Sequence, residues 1–218
     1  MGWSFKGMLY QLLIDPLISG LRTSVAVHVG PSDRVIDVAC GTGALTMAMA
    51  GRAAHVTGID LSEDMIITAR RTAARRGIAN VTLALHDASD LSCYADNEFD
   101  VAVASMAMHQ FEAGLAVKIL AEMDRIAKRV IIADYNCPMR RNLPAASAWS
   151  IEYIAADDHY RNFTIYMQNG GMSWLAGRAG LNMEAVETRG GGVFVVAQIS
   201  GPRAYKERSD AVPHSGRA

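Results

Sequence analysis

The chain has 218 residues, half of them hydrophobic and a fifth charged, enough to bury one substantial core. A formal charge of -1 leaves no global electrostatic reason to bind nucleic acid or an anionic membrane. Three cysteines, Cys40, Cys93 and Cys137, form no CxxC pair, which argues against a disulfide scaffold or structural zinc and suits a reducing cytosol.

In chain order, Phe5, Leu9, Leu13, Leu17, Leu21 and Val25 recur at helical spacing, with Asp15 and Pro16 as cap and first position of a second helix. The apolar stretch Met8 to Ile18, broken by Asp15 and Pro16, is shorter than the roughly 20 residues that span a bilayer. It has no small-residue cleavage site, and Lys6 stands where N-myristoylation requires Ser or Thr. The expectation is a cytoplasmic chain with no stable membrane insertion. Its residues 1–30 form a helical lid or a cover for one sheet edge.

Arg34 to Ala39, His55 to Asp60, Val81 to His86, Phe99 to Ala104 and Arg129 to Asp134 read as strands buried on both faces. Helical composition fills Ala44 to Gly51, Glu63 to Arg76 and Ala113 to Lys128 between them. Asn182 to Glu187 and Gly192 to Ser200 are strand-like runs whose short link, Thr188 to Gly191, permits only antiparallel pairing. The fold class is therefore α/β: a doubly wound seven-stranded sheet, five parallel strands closed by an antiparallel C-terminal hairpin. Residues 142–180 form a helical cap between strands five and six. Residues 1–201 make one domain, and 202–218 a mobile tail.

The run from Val35 to Gly43 takes a strand directly into a glycine turn and a helix, so the backbone can approach a ligand closely. Asp60 ends the next strand, where a carboxylate can accept from both ribose hydroxyls, and Asp87 follows the third. Acidic residues at three neighbouring strand ends (Asp37, Asp60 and Asp87) mark a nucleoside site. A nicotinamide dinucleotide fits less well, because the third glycine of its pattern falls at Thr46.

The segments Asp37-Val38-Ala39-Cys40-Gly41-Thr42-Gly43, Gly58-Ile59-Asp60-Leu61-Ser62, Met65 and His86-Asp87-Ala88 resemble the cofactor motifs of class I S-adenosylmethionine-dependent methyltransferases. The nearest branch is similar to ubiquinone and menaquinone biosynthesis methyltransferases. The resemblance implies S-adenosyl-L-methionine as cofactor, with Ala39, Gly41 and Gly43 beneath its methionine and ribose and Asp37 on its amino group. It further implies Asp60 on the ribose hydroxyls, Leu61 or Met65 against adenine, Asp87 and Ala88 at the adenine edge, and Ser105 after strand four. The alternatives are a nucleotide-dependent oxidoreductase or a noncatalytic module that binds the same cofactor.

The acceptor belongs beyond strands four and five. His109 is the candidate base there, or simply a wall residue, and Asp134 and Tyr135 can orient an amine or hydroxyl. Cys137 invites comparison with nucleophilic cysteines of cytosine-C5 methyltransferases, but the Pro-Cys expected after strand four is missing. In the cap, Glu152 and His159 are seven apart and share a face if one helix continues, with Tyr160 a step further round. His159 and Tyr160 are expected to face the reacting methyl. Glu152, His159 and His109 carry metal-ligand chemistry, yet their spacing requires no ion, and no metal is assigned. Arg70, Arg71, Arg75 and Arg76 read as a solvated helix face. Aromatic and apolar lid residues (Trp3, Phe5, Met8, Leu9, Trp149, Tyr153, Tyr166) favour a small or medium, partly apolar acceptor with no nucleic-acid partner, and leave a homodimer open.

Overall fold

At the middle of the sheet, β1 (Arg34–Val38) is buried along all but its first residue, as its Val-Ile-Asp-Val run requires. The structure, a computed structural model, describes residues 20–140, 142–155 and 158–201. Around β1 lie β2 (His55–Asp60), β3 (Val81–Leu85), β4 (Val101–Ser105), β5 (Val130–Tyr135), β6 (Asn182–Arg189) and β7 (Phe194–Ser200), in the order β3-β2-β1-β4-β5-β7-β6. The first five are parallel, and β7 runs antiparallel between β5 and β6. Because β1 lies between β2 and β4, the order reverses there and opens a crevice at the carboxyl edge.

Sequence and structure agree on the strands to within a residue or two. Phe99 makes only an isolated bridge to Ala127, so β4 starts at Val101. Edge strand β3 departs from the expectation of two buried faces and is only partly covered, and β6, at the opposite edge, exposes much of its length. An outer strand has a neighbour on one side only, and the helices cover the sheet's middle.

The helices are α1 (Ala44–Ala50), α2 (Glu63–Arg76), α3 (Ala113–Ile126), α4 (Leu143–Ala155), α5 (Asp158–Asn169) and α6 (Gly171–Arg178), with a 3-10 turn at Met108–Gln110. In α2, Ser62 accepts from the Met65 N–H and acids open the first turn. Arg75 and Arg76 end it, and Gly77 closes it in the left-handed region. Its Arg70 is exposed yet donates to the Leu83 carbonyl at 2.7 and 3.1 Å, so this member of the basic run ties α2 to β3.

The cap corrects one expectation. Glu152, in α4, is buried and His159, in α5, is exposed, so the two do not share one face. Residues 20–26 are helical, with Leu21, Val25 and Ala26 in the core. Trp3, Phe5, Met8, Leu9, Asp15, Pro16 and the tail 202–218 lie outside the described residues.

Candidate active site

The carboxyl ends of β1, β2, β3 and β4 border a cleft of about 560 Å³, within the roughly 300–1,000 Å³ of small-molecule sites. Its floor is the glycine turn. Ala39, Gly41 and Gly43 adopt left-handed φ values of 57°, 54° and 74°. Gly43 must lack a side chain, since a Cβ there would stand 3.0 Å from the Ala69 Cβ.

Asp60 organises the turn. Its Oδ2 accepts from the Gly41 N–H and its Oδ1 from the Ser62 N–H, each at 2.8 Å. Two lone-pair directions of a carboxylate remain. Gly58, two residues earlier, is equally constrained: a Cβ would lie 2.9 Å from Leu83 Cδ2 and 3.1 Å from Cys40 Sγ.

Ala39, Gly41, Asp60, Leu61, Met65, Asp87, Ala88 and Ser105 line this cleft. Leu61 is 74 % exposed and Asp87 is also exposed, its carboxyl held below the usual range by the backbone N–H of Ser89. Gly43 is buried beneath the turn, and Asp37 lies a layer down, 1 % exposed, accepting from Thr46 Oγ1 at 2.6 Å. Burial pushes the Asp37 carboxyl up to about 7. Cys40 lines the cleft, but burial and the neighbouring Asp37 and Asp60 charges push its thiol up, away from the nucleophilic form.

Of the four acceptor-side candidates, only His159 lines the cleft. Tyr160 is half-buried with its ring edge-on to Trp149 and Tyr153. His109 and Tyr135 are buried behind the wall. His109 Nδ1 donates to Asp134 Oδ1 at 2.6 Å, and the Tyr135 hydroxyl donates to Glu152 Oε1 at 2.9 Å. Burial opposes the charged imidazole, but the Asp134 and Glu152 carboxylates outweigh it and raise His109 to about 10. Cys137 lies away from the cleft and donates to the Met167 carbonyl. Tyr166 is core, its hydroxyl on the Tyr135 carbonyl, whereas Tyr153 is 69 % exposed.

Sequence reasoning missed Arg22, Leu115 and Ile119, which also line the cleft, whereas Gln110 and Phe111, in the lining too, belong to the stretch after strand four that it places beside the acceptor. Arg22 follows buried Leu21, a neighbour relation that the spacing of the first helix contains but that does not reveal what lies opposite. Met106, also in the lining, holds a left-handed φ of 55°, unusual for a non-glycine residue.

Residues 35–130 match the family model described as a methyltransferase domain. That match spans β1 to the start of β5, including the glycine turn and Asp60. Over that part of its length the chain is similar to methyltransferase domains. It is 36% identical over 121 residues to a demethylmenaquinone methyltransferase of Symbiobacterium thermophilum, covering 52% of this chain and 47% of that protein. It is 33% identical over 140 residues to a ubiquinone/menaquinone biosynthesis C-methyltransferase of Burkholderia mallei, covering 58% and 56%. The chain thus spans about half the length of these curated relatives. A solved methyltransferase structure from Aquifex aeolicus superposes with a TM-score of 0.62 at 19% identity, covering 90% of this chain and 99% of that one, a likeness of fold.

The methyltransferase cofactor fits the donor set. The Asp60 carboxylate suits two ribose hydroxyls, Leu61 and Met65 offer apolar surface for a base, and the open glycine turn admits a ligand against the backbone. No helix among the described residues is long and apolar enough to cross a membrane. No group of three or more His, Cys, Asp or Glu side chains among them is arranged to hold a metal ion either.

Proposed function

We propose that the protein transfers a methyl group to a small or medium, partly apolar acceptor bound against the 105–111 loop and His159. The carrying observation is the turn at Gly41 held on the Asp60 carboxylate, in a cleft continuous with Met106, Gln110, Phe111 and His159. Bound S-adenosylmethionine supplies an electrophilic methyl on a sulfonium. Asp60 would hold the ribose, Leu61 and Met65 the adenine face, and Asp87 and Ala88 its edge. Asp37, below the turn, would act on the amino group through its field or a bridging water.

What remains for the protein is alignment and exclusion of water. Met106 and Phe111 give the pocket its apolar wall. Ser105, Gln110 and His159 give it hydrogen-bonding groups. An acceptor that must lose a proton needs a base in reach, and His159 meets that geometric condition where His109 does not. We assign His159 to acceptor recognition or proton removal, Tyr160 to holding α5 against Trp149, and His109 and Tyr135 to the frame behind the wall. The names of the curated relatives direct the first acceptor trial to demethylmenaquinone-type rings. No nucleic-acid partner is proposed. Self-association into a homodimer is readable by light scattering.

Calorimetry tests the reading. S-adenosylmethionine and S-adenosylhomocysteine should bind and NADH should not; binding of NADH alone would sink it. Methyl transfer from labelled cofactor then separates an enzyme from a binding module.

A further inference from the structure

Helix α4 sends a carboxylate into the core. Glu152 is fully buried, its Oε1 accepting from the Tyr135 hydroxyl at 2.9 Å and lying 3.5 Å from His109 Nε2. The other nitrogen of the same imidazole, Nδ1, donates to Asp134, so one buried ring stands between a carboxylate of β5 and a carboxylate of the cap. Tyr135, Phe163 and Tyr166 pack edge-on around it, with ring centroids 4.8, 6.0 and 6.3 Å away. A buried charge is strongly disfavoured unless partnered, and apolar packing alone would have served to seat a helix on a sheet.

The ring's position in the chain gives the charge a use. His109 belongs to the stretch whose Ser105, Met106, Ala107, Gln110 and Phe111 line the cleft. That stretch is under strain at Met106 and heavily restrained. Met106 N–H donates to the Ala133 carbonyl at 2.8 Å, and Asp134 Oδ2 accepts the N–H of Met108 at 2.9 Å and of His109 at 3.3 Å. Gln110 Nε2 donates to the Met106 carbonyl at 2.7 Å, and Asn162 of α5 donates to the Gln110 carbonyl at 2.8 Å. A residue in a sparsely populated backbone region persists only where its surroundings over-determine it.

We propose that Glu152 is a positioning residue, whose carboxylate acts through His109 to join the cap helix to the 105–111 wall and so set the shape of the acceptor pocket. The pocket's purpose rests on the methyl-transfer reading; the linkage itself does not. The charged and titratable groups facing the ring are Asp134 and Tyr135 from β5, Glu152 from α4 and Tyr166 from α5, with His159 acting on Glu152 through space. Together the two carboxylates keep His109 a cation at neutral pH, and His109 holds Glu152 below the usual carboxyl range against the opposing effect of burial.

Glu152→Gln keeps the side chain's size and its contact with the Tyr135 hydroxyl while removing the charge. Hydrogen exchange of the 105–111 amides, nitrogen NMR of histidine-labelled protein and calorimetry with S-adenosylhomocysteine read its effect. The wild-type His109 ring should carry both protons at about pH 8, and in the variant it should lose one at a pH at least about one unit lower. Exchange at 106–109 should rise roughly tenfold, with that of β1 and β2 unchanged and S-adenosylhomocysteine affinity within about twofold. An evenly loosened fold, unchanged exchange at 106–109, or a neutral His109 ring in the wild type at about pH 8 would each overturn the proposal. Should Glu152→Gln not fold, Tyr135→Phe releases the Glu152 carboxylate from its phenol and should raise the same exchange about threefold; no selective rise sinks the idea equally. Failure of the wild type to bind S-adenosylhomocysteine would instead count against the methyltransferase reading and leave the exchange result standing.

Discussion

Asp60 is the residue at which the cofactor assignment is most exposed to test. Its two oxygens each accept one backbone N–H at 2.8 Å, from Gly41 and Ser62, and each retains a lone pair for a ribose hydroxyl. Asp60→Asn replaces one acceptor by an NH2 group, which must then face a backbone N–H or a hydroxyl that needs an acceptor. One charge-assisted hydrogen bond is worth roughly 1.5–3 kcal/mol, so S-adenosylhomocysteine affinity should fall about 10- to 100-fold. Asp60→Ala removes both acceptors and also frees the Gly41 turn, so it should exceed the Asn variant. Isothermal calorimetry at fixed ionic strength measures both, and thermal melts without ligand show whether the fold survives. A change of less than about twofold in Asp60→Ala, in a protein that still melts cooperatively, would refute the placement of the ribose on this carboxylate.

Gly43→Val should abolish detectable S-adenosylhomocysteine binding and lower the melting temperature, because the position has φ 74° and a Cβ would press on Ala69 and Met47; a cost of roughly 2–4 kcal/mol is expected from thermal melts. Burial raises the folded-state pKa of Asp37 to about 7, above the ordinary aspartate range, so the folded chain keeps a proton that the unfolded chain has released. Its effect is to lower stability as pH rises from about 4 to about 7, and Asp37→Asn should flatten that part of the melting-temperature profile. His109 has the opposite character, a cation stabilised by folding. Its contribution is complete below the ordinary histidine pKa of 6.5 and is lost as pH rises through about 10, so His109→Gln should flatten the alkaline limb. His159→Ala should leave S-adenosylhomocysteine affinity within about twofold while lowering methyl transfer, with a smaller loss for Tyr160→Phe, as cofactor calorimetry and a labelled-methyl assay would report.

The sequence by itself determined the sheet and the glycine turn at its carboxyl edge. Buried parallel strands are continuous apolar runs, so Val35 to Val38 and Val101 to Ala104 announce themselves without reference to anything distant. A glycine turn between a strand and a helix is local as well, and the spacing from Gly41 to Asp60 follows from one crossover helix and one strand. The antiparallel end was legible because the link between β6 and β7 is too short for a crossover.

Only the tertiary structure decided the acceptor side, since its groups come from segments far apart in the chain and their directions depend on packing. His109 follows a strand end in the reaction crevice, which is all that its neighbourhood reveals. Whether its ring enters the pocket or the core depends on Asp134, 25 residues on, and on Glu152 in a separate helix. The seven-residue spacing of Glu152 and His159 would place them on one face of a continuous helix, but as α4 and α5 dock, Glu152 lies in the core and His159 lines the cleft. Arg22 reaches the same cleft from the other end of the sequence. Local periodicity fixes which face of an element is apolar; the partner that a polar group meets across the fold is set by how the elements dock.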